Sequence, residues 1–331
     1  MDRLPLFPSP FPDDNLIGLI FRYVLTSCHA SVPYAMQQLS TFSETRYSGT
    51  PYAEARQLVR CIGEQFDLSD LDVMSRFTDA PFRLRTYSYD NRKRPSVFIS
   101  NQWYIELTDL IEIRRQLVGG WSDAICLQCV QDDIREHGVF YWHRSHQLRE
   151  CAVCHIHGQV LISGCPRCGC VLPYKRIANW NIPCHVCGYK IQELLQDTPC
   201  GTWLDITTAK LAAAILRLPA AAPRHWCLVK AIDRAKKRWK VEGRANFDEY
   251  SLFVADQENE QWKSMEIRLG TSKRQRGGLP GLRNPFCFSY SLGGPFDQIH
   301  YTASMRILME LAYLVSRGAN VEDVIREWAA Q

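Results

Sequence analysis

The feature that most constrains this chain is the clustering of its cysteines. Of fourteen cysteines in 331 residues, nine lie between Cys126 and Cys187. Among them are three Cys-x2-Cys pairs, at positions 126/129, 165/168 and 184/187, and the same spacing recurs at 151/154. Tetrahedral Zn²⁺ requires two thiolates on one tight turn and two further ligands from a second turn. Three such pairs within about sixty residues therefore predict zinc sites.

The apolar pattern predicts a cytoplasmic protein with no membrane segment. The most apolar stretch, positions 209–218, is interrupted by Lys210 and Arg217 and is shorter than the roughly 18 apolar residues of a membrane helix. The first twelve residues, MDRLPLFPSPFP, have proline and serine where a signal peptide needs an apolar core. Because cytoplasmic thiols stay reduced, disulfides are not the expected role of these cysteines.

The second zinc site is predicted from spacing alone. A loop of fifteen residues separates Cys168 from Cys184, which is typical of a zinc ribbon or treble-clef-like finger. We expect an all-thiolate site held by Cys165, Cys168, Cys184 and Cys187. Gly188 directly follows its pair, where the chain must turn with a positive φ angle.

The first zinc site has two possible ligand sets. Cys126 and Cys129 form its first half, and the second half lies in the segment Cys-Ala-Val-Cys-His-Ile-His, positions 151–157. Cys151 and His157 each stand three positions from Cys154, so spacing permits either residue as the fourth ligand. Nearby histidines, at positions 137, 143 and 146, lie beside aromatic residues and are expected to pack or to form hydrogen bonds.

Both predicted sites are structural. Four protein ligands saturate tetrahedral zinc, so no water can bind the metal and be activated. The chain also lacks an HExxH motif, a paired-carboxylate motif and a glycine-rich phosphate loop. We therefore expect a protein that is not an enzyme, with two structural Zn²⁺ ions per chain.

The predicted fold is mainly α, with small zinc-stabilised β elements. We expect three parts: a helical domain at 1–120, a double zinc-finger region at 121–200 and a helical domain at 201–331. In the first part, Pro51 opens a helix, and a capping box formed by Ser69 and Asp72 opens a second helix at 70–77. This outline suggests a helix-turn-helix, or alternatively a packing module that does not touch DNA. Two further helices, at about 303–316 and after Asn320, suggest a second such motif.

Basic charge is concentrated in the C-terminal part. Positions 206–240 carry nine Lys or Arg and a single acid, Asp233. A helix at about 225–240 would place its apolar stripe on the body of the protein and its basic face outward. We expect that face and a basic loop at 271–283 to bind nucleic acid or an acidic partner, although such a face can also be merely solvated. The candidate residues are Lys230, Arg234, Lys237, Arg238, Lys273, Arg274 and Arg276.

Several motifs resemble the TniQ/TnsD family of transposon target-selection proteins. The similarity lies in the cysteine pairs at 126/129 and 165/168, in Tyr-Trp-His-Arg-Ser-His-Gln-Leu at 141–148, and in Cys-His-Ile-His-Gly-Gln-Val-Leu at 154–161. Pro-Phe-Pro-Asp-Asp-Asn-Leu at 10–16 is similar to the start of that family. The resemblance covers the first 190 residues. It implies Cys154 and His157 as the second half of the first zinc site.

The resemblance also implies a function and partners. Such a protein would select the target site of a DNA transposon without being an enzyme. It would link a target-recognition complex, either a CRISPR RNA-guided Cascade complex or the target DNA itself, to a TnsC-type AAA+ ATPase. The length of the chain favours the Cascade-associated kind, which implies a homodimer. The alternative is a stand-alone zinc-finger and helix-turn-helix transcription regulator.

Overall fold

The computed structural model describes residues 4–27, 51–82, 124–163, 165–168, 184–190, 198–218 and 308–325, apart from single positions within these ranges. The helices in these parts are α1 (Leu16–Thr26), α2 (Pro51–Phe66), α3 (Asp70–Phe77), α4 (Leu127–His137), a 3-10 helix (Arg144–Gln147) and α5 (Trp203–Leu216). Residues 311–316 and 321–323 are also helical. The described protein is therefore mainly α, as predicted.

The β structure of the described residues consists of isolated bridges and not of strands. Four antiparallel bridges occur, and three of them join segments of the cysteine-rich region to each other or to its flank. They connect 125 with 162, 153 with 160, and 159 with 200, whereas the fourth connects 14 with 143. The β elements expected around the metal sites are therefore smaller than those of a zinc ribbon in the described part of the chain.

The first three helices pack around one apolar cluster. Leu19, Ile62 and Met74 contribute one fully buried side chain from each helix. The capping box predicted for α3 is confirmed: the Ser69 hydroxyl accepts a hydrogen bond from the backbone N–H of Asp72, and the Asp72 carboxylate accepts one from the backbone N–H of Ser69. The predicted start of α2 at Pro51 and the predicted span of α3 are also confirmed.

Gly63 allows α2 and α3 to approach closely. A Cβ atom at this position would lie 2.6 Å from the carbonyl oxygen of Leu68, in the turn between the two helices. A backbone oxygen cannot move aside as a flexible side chain can. Although alanine is the better helix former by about 1 kcal/mol, we expect Gly63→Ala to lower the free energy of unfolding by about 1–3 kcal/mol through overpacking. Chemical denaturation would measure this change.

Glu64→Ala is the matched control for Gly63→Ala, because Glu64 is the next residue of α2 and is exposed. Its effect on the free energy of unfolding should stay within about 0.5 kcal/mol. Equal stability of the two variants would contradict the close approach of α2 and α3.

The N-terminal segment is hydrogen-bonded to the cysteine-rich region. The backbone N–H of Asn15 donates to the carbonyl of Trp142 over 2.8 Å, and that of Arg144 donates to the carbonyl of Asp13 over 2.7 Å. Helix α1 then packs on the Trp142 side chain, where a Cβ added at Gly18 would lie 3.0 Å from the Trp142 Cβ. Residues 13–18 are therefore part of the structure that surrounds the first cysteine cluster.

Helix α5 belongs to the largest apolar cluster among the described residues. It begins with a second capping box, formed by Thr202 and Asp205. Ten of its fourteen residues are buried, which agrees with its nearly uniform apolar character. The cluster combines α5 with residues 148–160, with Phe82 and with the C-terminal residues 308–325. The cysteine-rich region and the C-terminal helices thus share a core across the predicted boundary at residue 200, whose exact place remains a prediction.

The C-terminal helical residues have the predicted outline. Residues 311–316 are helical, Gly318 turns with φ +95°, and helical residues resume at 321. The Asn320 side chain accepts a hydrogen bond of 2.9 Å from the backbone N–H of Glu322, which is the predicted cap. None of the described helices combines the length and the apolar character that a membrane crossing would need.

Candidate metal centres

Four metal-ligating side chains meet at the first site. The Nδ1 atom of His157 lies 3.6 Å from the Sγ of Cys126, 3.3 Å from that of Cys129 and 3.7 Å from that of Cys154. The Sγ atoms of Cys129 and Cys154 are 3.6 Å apart. Tetrahedral zinc with Zn–S bonds of about 2.3 Å and a Zn–N bond of about 2.0 Å would place its ligand atoms roughly 3.5–3.8 Å apart. The first cluster (Cys126, Cys129, Cys154, His157) therefore fits a tetrahedral metal ion.

Helix α4 positions the first half of this cluster. Cys126 occupies the N-cap, where no side chain caps the helix, and Cys129 lies in the first turn. The free N–H groups and the positive end of the helix dipole at this position favour a thiolate. An N-terminal turn of a helix thus supplies two anionic ligands at the point where the helix field stabilises them.

A tight turn positions the second half. The backbone N–H of Gly158 donates to the carbonyl of Cys154 over 2.9 Å, and Gly158 has φ +68°. This turn aims the N–H groups of Ile156 and His157 at the Cys154 sulfur, over 3.4 and 3.5 Å. Such bonds stabilise a thiolate, and they require the sharp turn that glycine permits.

The second cluster (Cys165, Cys168, Cys184, Cys187) repeats the same turn. The backbone N–H of Gly188 donates to the carbonyl of Cys184 over 2.8 Å, and Gly188 has φ +70°, as predicted. Two sulfur pairs, 165/187 and 168/184, each lie 3.6 Å apart. All four sulfurs lie within 4.8 Å of one another, so this group could also hold a metal ion.

The thiols of the first cluster cannot all ionise without a compensating cation. Hydrogen bonds with Cys126 and Cys154, together with burial, raise the pKa of Cys129 far above its usual range. The corresponding bonds from Cys126 and Cys129 lower the pKa of Cys154. Ionisation of one buried thiol thus disfavours ionisation of its neighbours. A bound divalent cation removes this penalty and allows the thiols to ionise together.

Cys151 lies outside the first cluster. It is 2% exposed and packs in the apolar core around α5. His157, the alternative fourth ligand, is the residue that the structure brings to the sulfurs. His155 is not one of the four residues of the first cluster: its Nε2 lies 3.0 Å from a guanidinium nitrogen of Arg217, although a ring nitrogen of His155 lies within 4.8 Å of the Cys154 sulfur.

The histidines outside the cluster mostly pack or form hydrogen bonds. His137 stacks on Phe11 with ring centroids 4.4 Å apart. His143 is held by Asp133, whose carboxylate oxygens lie 3.0 and 3.2 Å from its Nε2. His146 is different: it is buried, and its Nε2 lies 3.8 Å from the Cys129 sulfur. It contacts the cluster from outside the group of four.

Arg144 connects the cysteine-rich region to both helical parts. Its guanidinium donates to the carbonyl oxygens of Ser75 and Thr78 at the end of α3, and to that of Leu216 at the end of α5. Its Nε donates to the Asp13 carboxylate over 3.3 Å. Side-chain exposure is only 6% for Arg144. Several segments that surround the first cluster are therefore held together by one buried cation.

Asp13 completes this contact. Its other oxygen accepts hydrogen bonds from the backbone N–H and the hydroxyl of Ser145, over 3.0 and 2.5 Å. Burial would raise the pKa of Asp13, but the charge of Arg144 and the bonds from Ser145 outweigh burial and lower it. Sequence reasoning did not single out Asp13 or Arg144 for this role. The available signal was the Asp-Asp dipeptide at 13–14 and the Arg-Ser dipeptide at 144–145, each within a motif that carries the family resemblance.

The predicted binding residues fall outside the described part of the chain. These are Lys230, Arg234, Lys237, Arg238, Lys273, Arg274 and Arg276. Their assignment to a nucleic-acid or partner surface remains a prediction.

A comparison with known families agrees with the motifs. The TniQ family model matches residues 5–161, which contain α1 to α4 and the whole of the first cluster. The chain matches no curated protein and no solved structure significantly. The second cluster and α5 lie beyond the matched range. Residues 5–161, slightly under half of the chain, therefore form a domain of the TniQ family, a family associated with DNA transposition.

Proposed function

We propose that this protein is a non-enzymatic target-selection adaptor for DNA transposition. It links a target-recognition complex, of the CRISPR RNA-guided Cascade kind, to a TnsC-type AAA+ ATPase and its transposase. The observation that carries the proposal is the TniQ match over residues 5–161, which includes the complete first cluster. An adaptor needs surfaces held at fixed relative positions, and the buried contacts of Arg144 supply such a connection between α3, α5 and the N-terminal segment.

We propose structural Zn²⁺ as the metal of both clusters. Three thiolates with one imidazole, and four thiolates, are ligand sets that Zn²⁺ prefers. Four protein ligands in each cluster leave no coordination position for a reacting water. The metals then serve to hold short segments in place, since the β structure of the described residues around the clusters consists only of isolated bridges.

The first helix-turn-helix outline is better suited to packing than to reading DNA. In a DNA-reading motif, the N-terminal residues of the second helix approach the bases and phosphates. The first turn of α3 instead carries Asp70 and Asp72, which would be repelled by phosphates. Val73, Met74 and Phe77 of the same helix are buried in the N-terminal core. This arrangement argues against the alternative function, a transcription regulator that reads DNA through α3.

A side-by-side pull-down tests the proposed function. The full chain would be presented to a purified Cascade–guide RNA complex, to a TnsC-type ATPase and to random duplex DNA. Retention of Cascade and the ATPase, with little retention of free DNA, is the expected result. Retention of duplex DNA alone would favour the transcription-regulator alternative, and a homodimer would be visible in the mass of the free protein.

The basic face at 225–240 yields a second test. Reversing the charges of Lys230, Arg234 and Lys237 together to Glu should abolish recruitment of the partner that this face binds. If the partner is duplex DNA, three lost phosphate contacts should flatten the log–log salt dependence by nearly three units. Titration of binding at several salt concentrations would measure both effects.

A matched triple variant distinguishes a specific face from net charge. Arg60, Lys190 and Lys210 are exposed, and their replacement by Glu changes the net charge by the same amount. This control should retain binding. Equal loss in both triple variants would mean that net charge and not this face determines binding, and no loss in either would mean that the predicted face is merely solvated.

A further inference from the structure

The imidazole of His157 contacts charged groups at both of its nitrogens. Its Nδ1 faces the three sulfurs of the first cluster, at 3.3–3.7 Å. Its Nε2, on the opposite edge of the ring, lies 3.1 Å from the Oδ2 atom of Asp132. Both side chains are partly buried, with 22% exposure for His157 and 25% for Asp132.

The carboxylate determines which nitrogen can bind a metal. An ionised Asp accepts hydrogen bonds and donates none, so the His157 Nε2 must carry a hydrogen to bond with it. A neutral imidazole with its hydrogen on Nε2 has its lone pair on Nδ1. That lone pair points at the sulfurs, where the metal would lie. The opposite tautomer would place a hydrogen among the metal ligands.

Helix α4 holds Asp132 in this position. Asp132 follows Cys129 by three residues, so both side chains lie on the same face of the helix. Its other oxygen, Oδ1, accepts hydrogen bonds from Gln128 over 3.3 Å and from Arg135 over 2.8 Å. These two bonds leave Oδ2 directed at His157. The same helix thus supplies a metal ligand and the group that orients another ligand.

We propose that Asp132 is a positioning residue for the first metal site: it holds His157 as the Nε2–H tautomer and thereby directs Nδ1 to the metal. The inference rests on the proposed occupancy of the first cluster by Zn²⁺. It assigns a metal-binding role to a residue outside the group of four donors. Groups that hold a ligating histidine in this way contribute about 10- to 100-fold to metal affinity.

The chain provides a matched control in the adjacent residue. Asp133 also holds a histidine from outside α4, since its carboxylate contacts the His143 Nε2 at 3.0 Å. Asp133 is more deeply buried than Asp132, and its histidine does not belong to the first cluster. Replacing Asp133 therefore disturbs an Asp–His pair of the same helix without touching a donor of the metal site.

The test measures zinc affinity of the full-length protein by competition with a chromophoric chelator. Asp132→Ala should weaken zinc binding at the first cluster by about 10- to 100-fold and leave the second cluster unchanged as an internal reference. Asp132→Asn, which keeps one acceptor oxygen, should lose less. Asp133→Asn should lower the melting temperature but leave the zinc affinity of the first cluster within about threefold of the unaltered protein, since it removes no contact of a metal donor.

Two results would overturn the proposal: an unchanged zinc affinity in Asp132→Ala, or an equal loss in Asp133→Asn. Nitrogen-15 NMR of the His157 ring in the unaltered, zinc-loaded protein is a test that does not depend on the variants folding. Metal on Nδ1 and hydrogen on Nε2 are expected, and metal on Nε2 would refute the role of Asp132. Elemental analysis distinguishes failure of the Asp132 proposal from failure of the zinc proposal. An absence of metal would refute the proposed zinc site as well as the role of Asp132.

Discussion

Arg144→Ala is expected to lower the free energy of unfolding by about 3–5 kcal/mol, because it leaves the Asp13 carboxylate, whose side chain is only 18% exposed, without its cation. It also removes the donors for the carbonyl oxygens of Ser75, Thr78 and Leu216. These oxygens lie at the ends of α3 and α5, where helix carbonyls have no partner within the helix. Denaturation in urea, followed by circular dichroism, would measure the change.

The pH dependence of this variant gives an independent check. In the unaltered protein the pKa of Asp13 lies below its ordinary value of 3.8. Its contribution to stability is therefore present above that pH and is lost as the pH falls through the lowered value. Without Arg144, burial would raise the pKa of Asp13. The variant should accordingly begin to lose stability at a higher pH than the unaltered protein as the solution is acidified.

Arg60→Ala is the control for Arg144→Ala. Arg60 is an exposed arginine of α2. Substitutions of exposed surface residues change stability little, so a change within about 0.5 kcal/mol is expected. A similar small effect for Arg144→Ala would show that the helical parts hold together without its contacts.

Removal of the metal is expected to have the largest effect of all. Structural zinc supplies folding free energy on the order of 10 kcal/mol. Chelation should therefore unfold the cysteine-rich region, and α1 and α5 should lose stability with it, because both pack on that region. Elemental analysis should find two zinc ions per chain before chelation. One ion or none would contradict the assignment of the two clusters.

Cys154→Ser and Cys151→Ser form a matched pair for the first cluster. The two cysteines are three residues apart, and both are buried. Cys154→Ser removes a sulfur that lies 3.6 Å from that of Cys129, so one zinc ion per chain should be lost. Cys151→Ser alters only the apolar core and should retain both ions, with a modest decrease in the melting temperature. Loss of zinc from Cys151→Ser would instead make Cys151 the fourth ligand.

Local sequence signals predicted the features that depend on neighbours in the chain. The capping box of α3 joins residues three apart, and the turn at Gly188 follows from a cysteine pair spaced by two residues. Such features form wherever the local residues permit them, so spacing and residue type are sufficient. The overall helical character and the membership of the second cysteine cluster could be inferred in the same way.

Tertiary structure decided what spacing left open. Cys151 and His157 are equally distant from Cys154 along the chain, so spacing could not separate them; the family resemblance favoured His157, and the packing of Cys151 against α5 agrees with it. Asp13 and Arg144 are 131 residues apart, and no local pattern indicates which buried carboxylate a given arginine meets. The contact between Asp132 and His157 depends on the turn at Gly158, which brings His157 to α4. Contacts of this kind depend on how separate elements pack, and packing is a property of the whole folded chain.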